Sequence, residues 1–209
     1  MRAAGQATRE RILVAAKAEF ARYGIAGARI NRIAEAAKAS KDRLYAYFAG
    51  KDELYAAVTE EWVTQTTDET ALDAADLPAY VGRLFDHYVT HPDNARLQAW
   101  AEIEQTHIPA AEDAIRRIIA GKLTEIRRGQ DQGLITAEFQ PITLIVMLTD
   151  LARTAAMHAT RTDHHHRTER RAATVLAARR LVSPDAPPAE DPRQLPRACR
   201  ADPRDGGLV

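Results

Sequence analysis

The chain has 209 residues, 45% of them hydrophobic, with 29 Lys and Arg balanced by 29 Asp and Glu. That is enough apolar mass for a buried core, and the abundance of alanine and arginine favours an all-α protein. The longest unbroken apolar runs, such as Leu144 to Leu148, are five residues, too short to read as a membrane span, and the single cysteine, Cys199, excludes an internal disulfide.

The first residues carry no apolar signal core, so a cytoplasmic protein is expected. The zero net charge hides an asymmetry. Residues 1–53 hold 11 Lys and Arg against 6 Asp and Glu, whereas residues 54–113 hold 2 against 12. A basic first quarter beside an acidic block suits a nucleic-acid-facing unit on an acidic body, although charge alone fits chance clustering of solvated faces equally well.

In chain order, residues 1–6 are expected to fray and Ala7 to Tyr23 to form a helix. Ile12, Leu13, Ala16 and Phe20 share one stripe of it, and Gly24 suits its left-handed end. A second helix follows, with Ile30, Ile33, Ala34 and Ala37 at helical spacing. Arg29 lies at its start, where free backbone amides can meet a phosphate. Lys38-Ala39 is a tight turn. Ser40 has N-cap chemistry, and the next short helix turns Leu44 and Phe48 inward. Its other faces show Lys41, Asp42, Arg43, Tyr45 and Tyr47. A thin core stripe under basic and tyrosyl groups is what a helix lying in a DNA major groove requires. The plainer reading is an ordinary amphipathic helix with half-buried tyrosines.

The stretch SKDRLYAYFAGKDEL resembles the TetR family of bacterial transcription regulators through Ser40, Lys41, Leu44, Tyr45, Tyr47, Phe48, Lys51 and Leu54. The resemblance implies a three-helix helix-turn-helix DNA-binding domain at residues 1–50, joined to a helical ligand-binding and dimerisation domain at 51–183. It further implies a homodimeric repressor that binds a palindromic operator and is released by a small-molecule effector. DNA contacts are expected from Arg29, Ser40, Lys41, Asp42, Arg43, Tyr45, Tyr47 and Lys51. Two departures stand out. The turn carries Lys38 where the family usually has glycine, and the bulky Asp42 and Arg43 stand where it often has small residues.

Lys51-Asp52-Glu53 opens a helix to about Thr70, with acidic groups where the dipole favours them and Lys51 placed as a phosphate clamp. Helices are expected at 78–90, 93–107, 110–132, 141–157 and 166–182, set off by Pro78, Pro92, Pro109 and Pro141. The helix at 141–157 is apolar over much of its circumference and so must be buried on more than one side. With 166–182 it is the expected dimer interface. Trp62, Phe85, Tyr88, Trp100, His107, Met147 and Met157 are candidate pocket residues, with Glu104 or Asp150 as polar anchors, although an aromatic stripe is more often core. From Ser183 onward Pro, Asp, Arg and Gly replace any apolar period, so 184–209 reads as a disordered tail.

Asp163-His164-His165-His166 suggests a metal site, but neighbours on one helix do not converge on one ion, so neither metal nor cofactor is expected. No P-loop, nucleophile elbow or zincin motif is present. The alternatives are a DNA-binding dimer without a small-molecule ligand, or a helical metal-dependent enzyme using His158 with His164, His165 and His166.

Overall fold

The computed structural model describes residues 2–104, 107–160 and 164–184. Among them no strand occurs. The α-helices are α1 (Arg2–Gly27), α2 (Ile30–Ala36), α3 (Lys41–Tyr45), α4 (Lys51–Glu69), α5 (Leu77–Thr90), α6 (Pro92–Glu104), α7 (Pro109–Asp131), α8 (Pro141–Ala159) and α9 (His164–Val182). A short 3-10 turn at Ala74–Asp76 precedes α5. The all-α expectation holds, and the prolines stand in the first turns of α5, α6, α7 and α8, where a missing N–H costs nothing. The expected tail lies outside the described residues beyond Pro184, as do Cys199 and Asp163.

Helix α1 begins earlier than expected, at Arg2, and is kinked at Gly24 (φ 67°, ψ 179°). An L side chain rarely adopts that backbone, and a Cβ there would also run into Glu104 and Trp100. The kink frees amides of the chain that follows, and Glu104 answers them. Its carboxylate accepts from the N–H of Ile25 at 2.8 Å and of Ala26 at 3.2 Å. Helix α6 is thereby pinned against the end of α1.

Two apolar clusters form. The first gathers Ile12, Ala16 and Phe20 of α1, Ile33 of α2, Leu44 and Phe48 around α3, Leu54 and Val58 of α4, and Leu97 of α6. Phe20 meets Tyr55 edge-on, with ring centroids 5.3 Å apart. The second holds Leu77, Tyr80, Leu84, Phe85 and Tyr88 of α5 with Ile126 of α7, Leu144, Leu148 and Ala152 of α8, and Ala178 of α9. Leu54, Tyr55, Val58, Trp62 and Val63 of α4 belong to the first cluster, together with Ala111 and Ala114 of α7, along which α4 packs.

Helix α8 has 19 residues and a mean hydropathy of 1.2, so by length and composition it is long and apolar enough to cross a membrane. Run length alone missed this, because the apolar character is spread around small and polar residues. In the fold its buried side, from Leu144 through Ala159, packs on α5 and α9 as a core helix, with Asp150 and Arg153 at its middle.

Candidate functional site

Burial of Leu44 and Phe48, at 0% and 2% exposure, fixes which side of α3 faces out. Ser40 caps the helix as expected: its Oγ accepts from the Arg43 N–H at 3.1 Å. Lys38 takes the left-handed backbone usually given to glycine, at φ 51°. Lys41, Asp42 and Arg43 are exposed, and so is Tyr45. Among the described residues neither Lys41 nor Arg43 forms an ion pair. Tyr47 is only half-buried, and its hydroxyl donates to the Gly5 carbonyl at 2.9 Å, so it also ties α3 to the first turns of α1. Arg9 sits over the Phe48 ring at 5.3 Å and closes the same corner.

Arg29 is the N-cap residue of α2 and is exposed. Its backbone N–H donates to Glu19 Oε1 at 2.9 Å. Glu19, buried at 8% exposure, also pairs with Arg32, so a single carboxylate organises the entry to α2. Lys51 is the first residue of α4. Beside it, Glu53 Oε2 accepts from the Ala49 N–H at 2.6 Å and closes the helix start. The arrangement presents cations and two helix starts on one basic unit, which is the equipment for phosphate contact and groove entry.

Between α4, α5, α6, α7 and α8 lies a cavity of about 320 Å³. Of the expected pocket residues, Trp62, Tyr88 and Asp150 line it. The structure puts the others elsewhere. Phe85 is sealed in the second core, because α5 turns Leu84 and Tyr88, not Phe85, toward the cavity. Trp100 donates from Nε1 to the Ala21 carbonyl at 3.2 Å, and Glu104 caps the α1 kink; both serve the α1–α6 contact. His107 is exposed beside Glu112, and Met147 and Met157 point out of the body. Helical spacing shows that a face is apolar, not which neighbour it meets.

Ile115, Ile118, Ile119 and Lys122 of α7 also line the cavity, and none of them was among the expected pocket residues. The available signal was a lysine in the inward stripe of α7. Its ammonium donates to the Tyr80 hydroxyl at 3.1 Å and lies over that ring. Burial holds Lys122 down to about pKa 8 and pushes the Tyr80 phenol up. The carboxylates nearby are engaged: Arg153 Nη2 donates to Glu102 at 2.7 Å and to Asp150 at 2.8 Å.

Among the described residues, Glu69, His87 and His91 bring ligand-type atoms within 4.8 Å of one another. This group was also missed. Its sequence trace is the i, i+4 spacing of the two histidines, while Glu69 comes from another helix. By contrast, no such group among the described residues contains His158, His165 or His166. His165 and His166 are exposed, His165 pairs with Glu169 at 3.2 Å, and the side chain of His164 lies outside the described residues.

Comparison with known proteins agrees with this architecture. Residues 12–58 match the family described as bacterial regulatory proteins, tetR family, and residues 76–180 match the tetracyclin repressor-like, C-terminal domain. The chain is 38% identical over 153 residues to the HTH-type transcriptional repressor SCO4008 of Streptomyces coelicolor, covering 73% of this chain and 80% of that protein. It also resembles the crystal structure of the transcriptional regulator SCO4942 from Streptomyces coelicolor, with a TM-score of 0.71, 42% identity, and coverage of 84% of this chain and 98% of that one. The transcriptional regulator FadR from Bacillus subtilis, solved in complex with stearoyl-CoA, shares the fold at 17% identity, with a TM-score of 0.61 over 84% of this chain and 98% of that one. A helix-turn-helix unit with an outward basic helix, a helical body behind it and these matches together show that the chain is a DNA-binding transcriptional regulator, not an enzyme, and that it belongs to the TetR family.

Proposed function

We propose that the chain is a cytoplasmic repressor that binds a palindromic or pseudo-palindromic operator as a homodimer and releases it when a small molecule fills the cavity. The division of labour follows the notional boundary near residue 50, with reading heads before it and the regulatory and dimerisation body from 51 to 183. The observation that carries this reading is the exposed cationic face of α3, free of ion pairs among the described residues and held outward by buried Leu44 and Phe48. Lys41, Arg43 and Tyr45 are assigned to the groove, and Arg29, Ser40 and Lys51 to phosphates. Asp42 is assigned to base discrimination, and Tyr47 to a phosphate reached beside its Gly5 bond.

Dimerisation is assigned to α8 and α9, where Ile142, Val146, Met157 and Leu176 stay exposed in the single chain. The effector is assigned to the 320 Å³ cavity, a volume that suits a small, largely apolar molecule. Lys122, whose pKa is lowered by burial with no carboxylate acting on it, favours an acidic group on that molecule. Such an effector acts only by binding the DNA-incompetent arrangement more tightly than the competent one.

Selection of bound fragments from random duplex DNA tests this. The expected product is an inverted repeat with half-sites about one helical turn, roughly 34–36 Å, apart. Recovery of no preferred sequence, or of single unpaired sites, would overturn the dimeric-operator reading.

A further inference from the structure

Helix α5 ends with His87 and His91, one turn apart, and the last turn of α4 brings Glu69 across to both. Glu69 Oε2 lies 2.7 Å from His87 Nδ1 and 3.3 Å from His91 Nε2. The two imidazole rings are 4.8 Å apart between centroids. Ligand atoms bound to one tetrahedral ion at about 2.1 Å stand roughly 3.0–3.5 Å apart, so the group is already close to a ligand set. The far side of His87 is built as well. Its ring is buried, with Thr66 Oγ1 at 3.0 Å and Asn94 Nδ2 at 3.0 Å from Nε2. Asn94 is 0% exposed, yet its Oδ1 has no hydrogen-bond partner.

We infer that Glu69, His87 and His91 form a site for one divalent transition-metal ion of the zinc and cobalt class. Two imidazoles and a carboxylate suit those ions, whereas magnesium and calcium prefer all-oxygen shells. The ligands are Glu69 Oε2, His87 Nδ1 and His91 Nε2, and water completes the set. His87 stays neutral on binding. The proton leaves Nδ1 and another is taken up at Nε2, so the ring changes tautomer without a change of charge. The new Nε2–H donates to Thr66 Oγ1, whose own hydroxyl donates to the Trp62 carbonyl at 2.7 Å. Turning over the Asn94 amide offers the orphaned Oδ1 as a second acceptor. A metal-bound histidine is normally steadied by such a partner on its other nitrogen.

Lys17 is a cation whose charge acts on both His87 and Glu69. Its ammonium donates to Gln65 Oε1 at 3.3 Å and faces Glu61 and Asp93 as well as Glu69, so its charge is already answered. The ion would tie the last turn of α4, whose first turn opens beside the reading head, to the end of α5. Thr66 sits on both the ligand-supporting network and the cavity wall, which places the two sites side by side.

Untagged full-length protein, stripped with a chelator, is titrated with cobalt(II) and followed by its visible absorption, with zinc(II) as competitor. The expected result is one equivalent per chain at micromolar or tighter affinity. Glu69→Gln and His91→Ala, both at partly exposed positions, each alter a direct ligand and should weaken it by more than the roughly tenfold to hundredfold that losing an outer-shell partner costs. The melting temperature of the metal-free variants should stay near that of the parent. A double variant, His165→Ala with His166→Ala, should leave the titration unchanged. Binding no tighter than millimolar overturns the site. So does cobalt that survives the Glu69 and His91 changes but is lost from the His165 and His166 variant.

Discussion

Lys38 carries a backbone angle of φ 51° in the turn that aims α3. A side chain there costs roughly 1–2 kcal/mol against glycine in the folded state, and glycine returns part of that through the freer unfolded chain. Lys38→Gly should therefore stabilise the protein by up to about 1 kcal/mol, read as a higher urea midpoint at unchanged slope. An equal or lower midpoint would mean that the lysine side chain makes a compensating contact. Lys122 gives a second test at this scale. Its folded pKa of about 8 lies below the ordinary lysine value of 10.5, so between those pH values the unfolded chain holds a proton that the folded one has shed. Stability should rise with pH across that window, by an amount of order 3 kcal/mol. Lys17 is shifted the same way, while the raised phenols of Tyr80 and Tyr88 act oppositely above about pH 10. The diagnostic quantity is the difference between parent and Lys122→Met from pH 8 to 10, which should shrink as pH rises. At the DNA face, Lys51→Ala should weaken binding to every duplex and flatten the salt dependence by about one unit, whereas Arg43→Ala should change sequence preference. Unaltered binding in both would remove α3 and the α4 entry from the interface.

The kink in α1 is a property of two elements, not one. Gly24 sits in a backbone region closed to other residues, and the amides beyond it are held by Glu104 from α6. Gly24→Ala should cost roughly 1–3 kcal/mol from strain alone. Glu104→Ala should cost roughly 1–3 kcal/mol by leaving two backbone donors without their acceptor. Because both act on one corner, their losses should not add in the double variant, and additive losses would refute the shared role. What the sequence disclosed, and what it withheld, divides at this scale. Proline starts, the Ser40 cap and the Leu44–Phe48 stripe are local signals, and they located the helices and the outward side of α3. Glu104, Trp100 and the Glu69–His87–His91 group depend on which helix lies beside which, and that has no local signature. The same holds for the cavity: α7 supplied isoleucines indistinguishable from core and one lysine that looked like a stray charge.

For the whole molecule, the proposed homodimer has to set two copies of the basic helix α3 at a fixed spacing. Ile142, Val146 and Met157 lie at separations of 4 and 11 residues, which places them along one stripe of α8, and Leu176 stands exposed on the adjoining α9. Only 33% of the α8 apolar stretch is buried within the chain, so a large part of a strongly apolar helix is left facing outward. A solvated stripe of this kind is a poor end state for one chain, and pairing with its own copy about a two-fold axis removes it from water. Ile142→Glu combined with Leu176→Glu puts like charges into that contact without touching the buried side of either helix or the cavity wall. The expected product is a folded monomer by sedimentation at micromolar concentration, with unchanged helical circular dichroism. Loss of the second reading head should lower affinity for the full operator by roughly a hundredfold or more, since tandem engagement contributes that order of avidity. Affinity for an isolated half-site should stay the same, because α3 and its supports are untouched. If the charged variant remained dimeric, the pairing surface would have to lie off α8 and α9. If it became monomeric yet held the full operator as tightly as the parent, the two-headed reading of DNA would fall even though the helix-turn-helix unit stood.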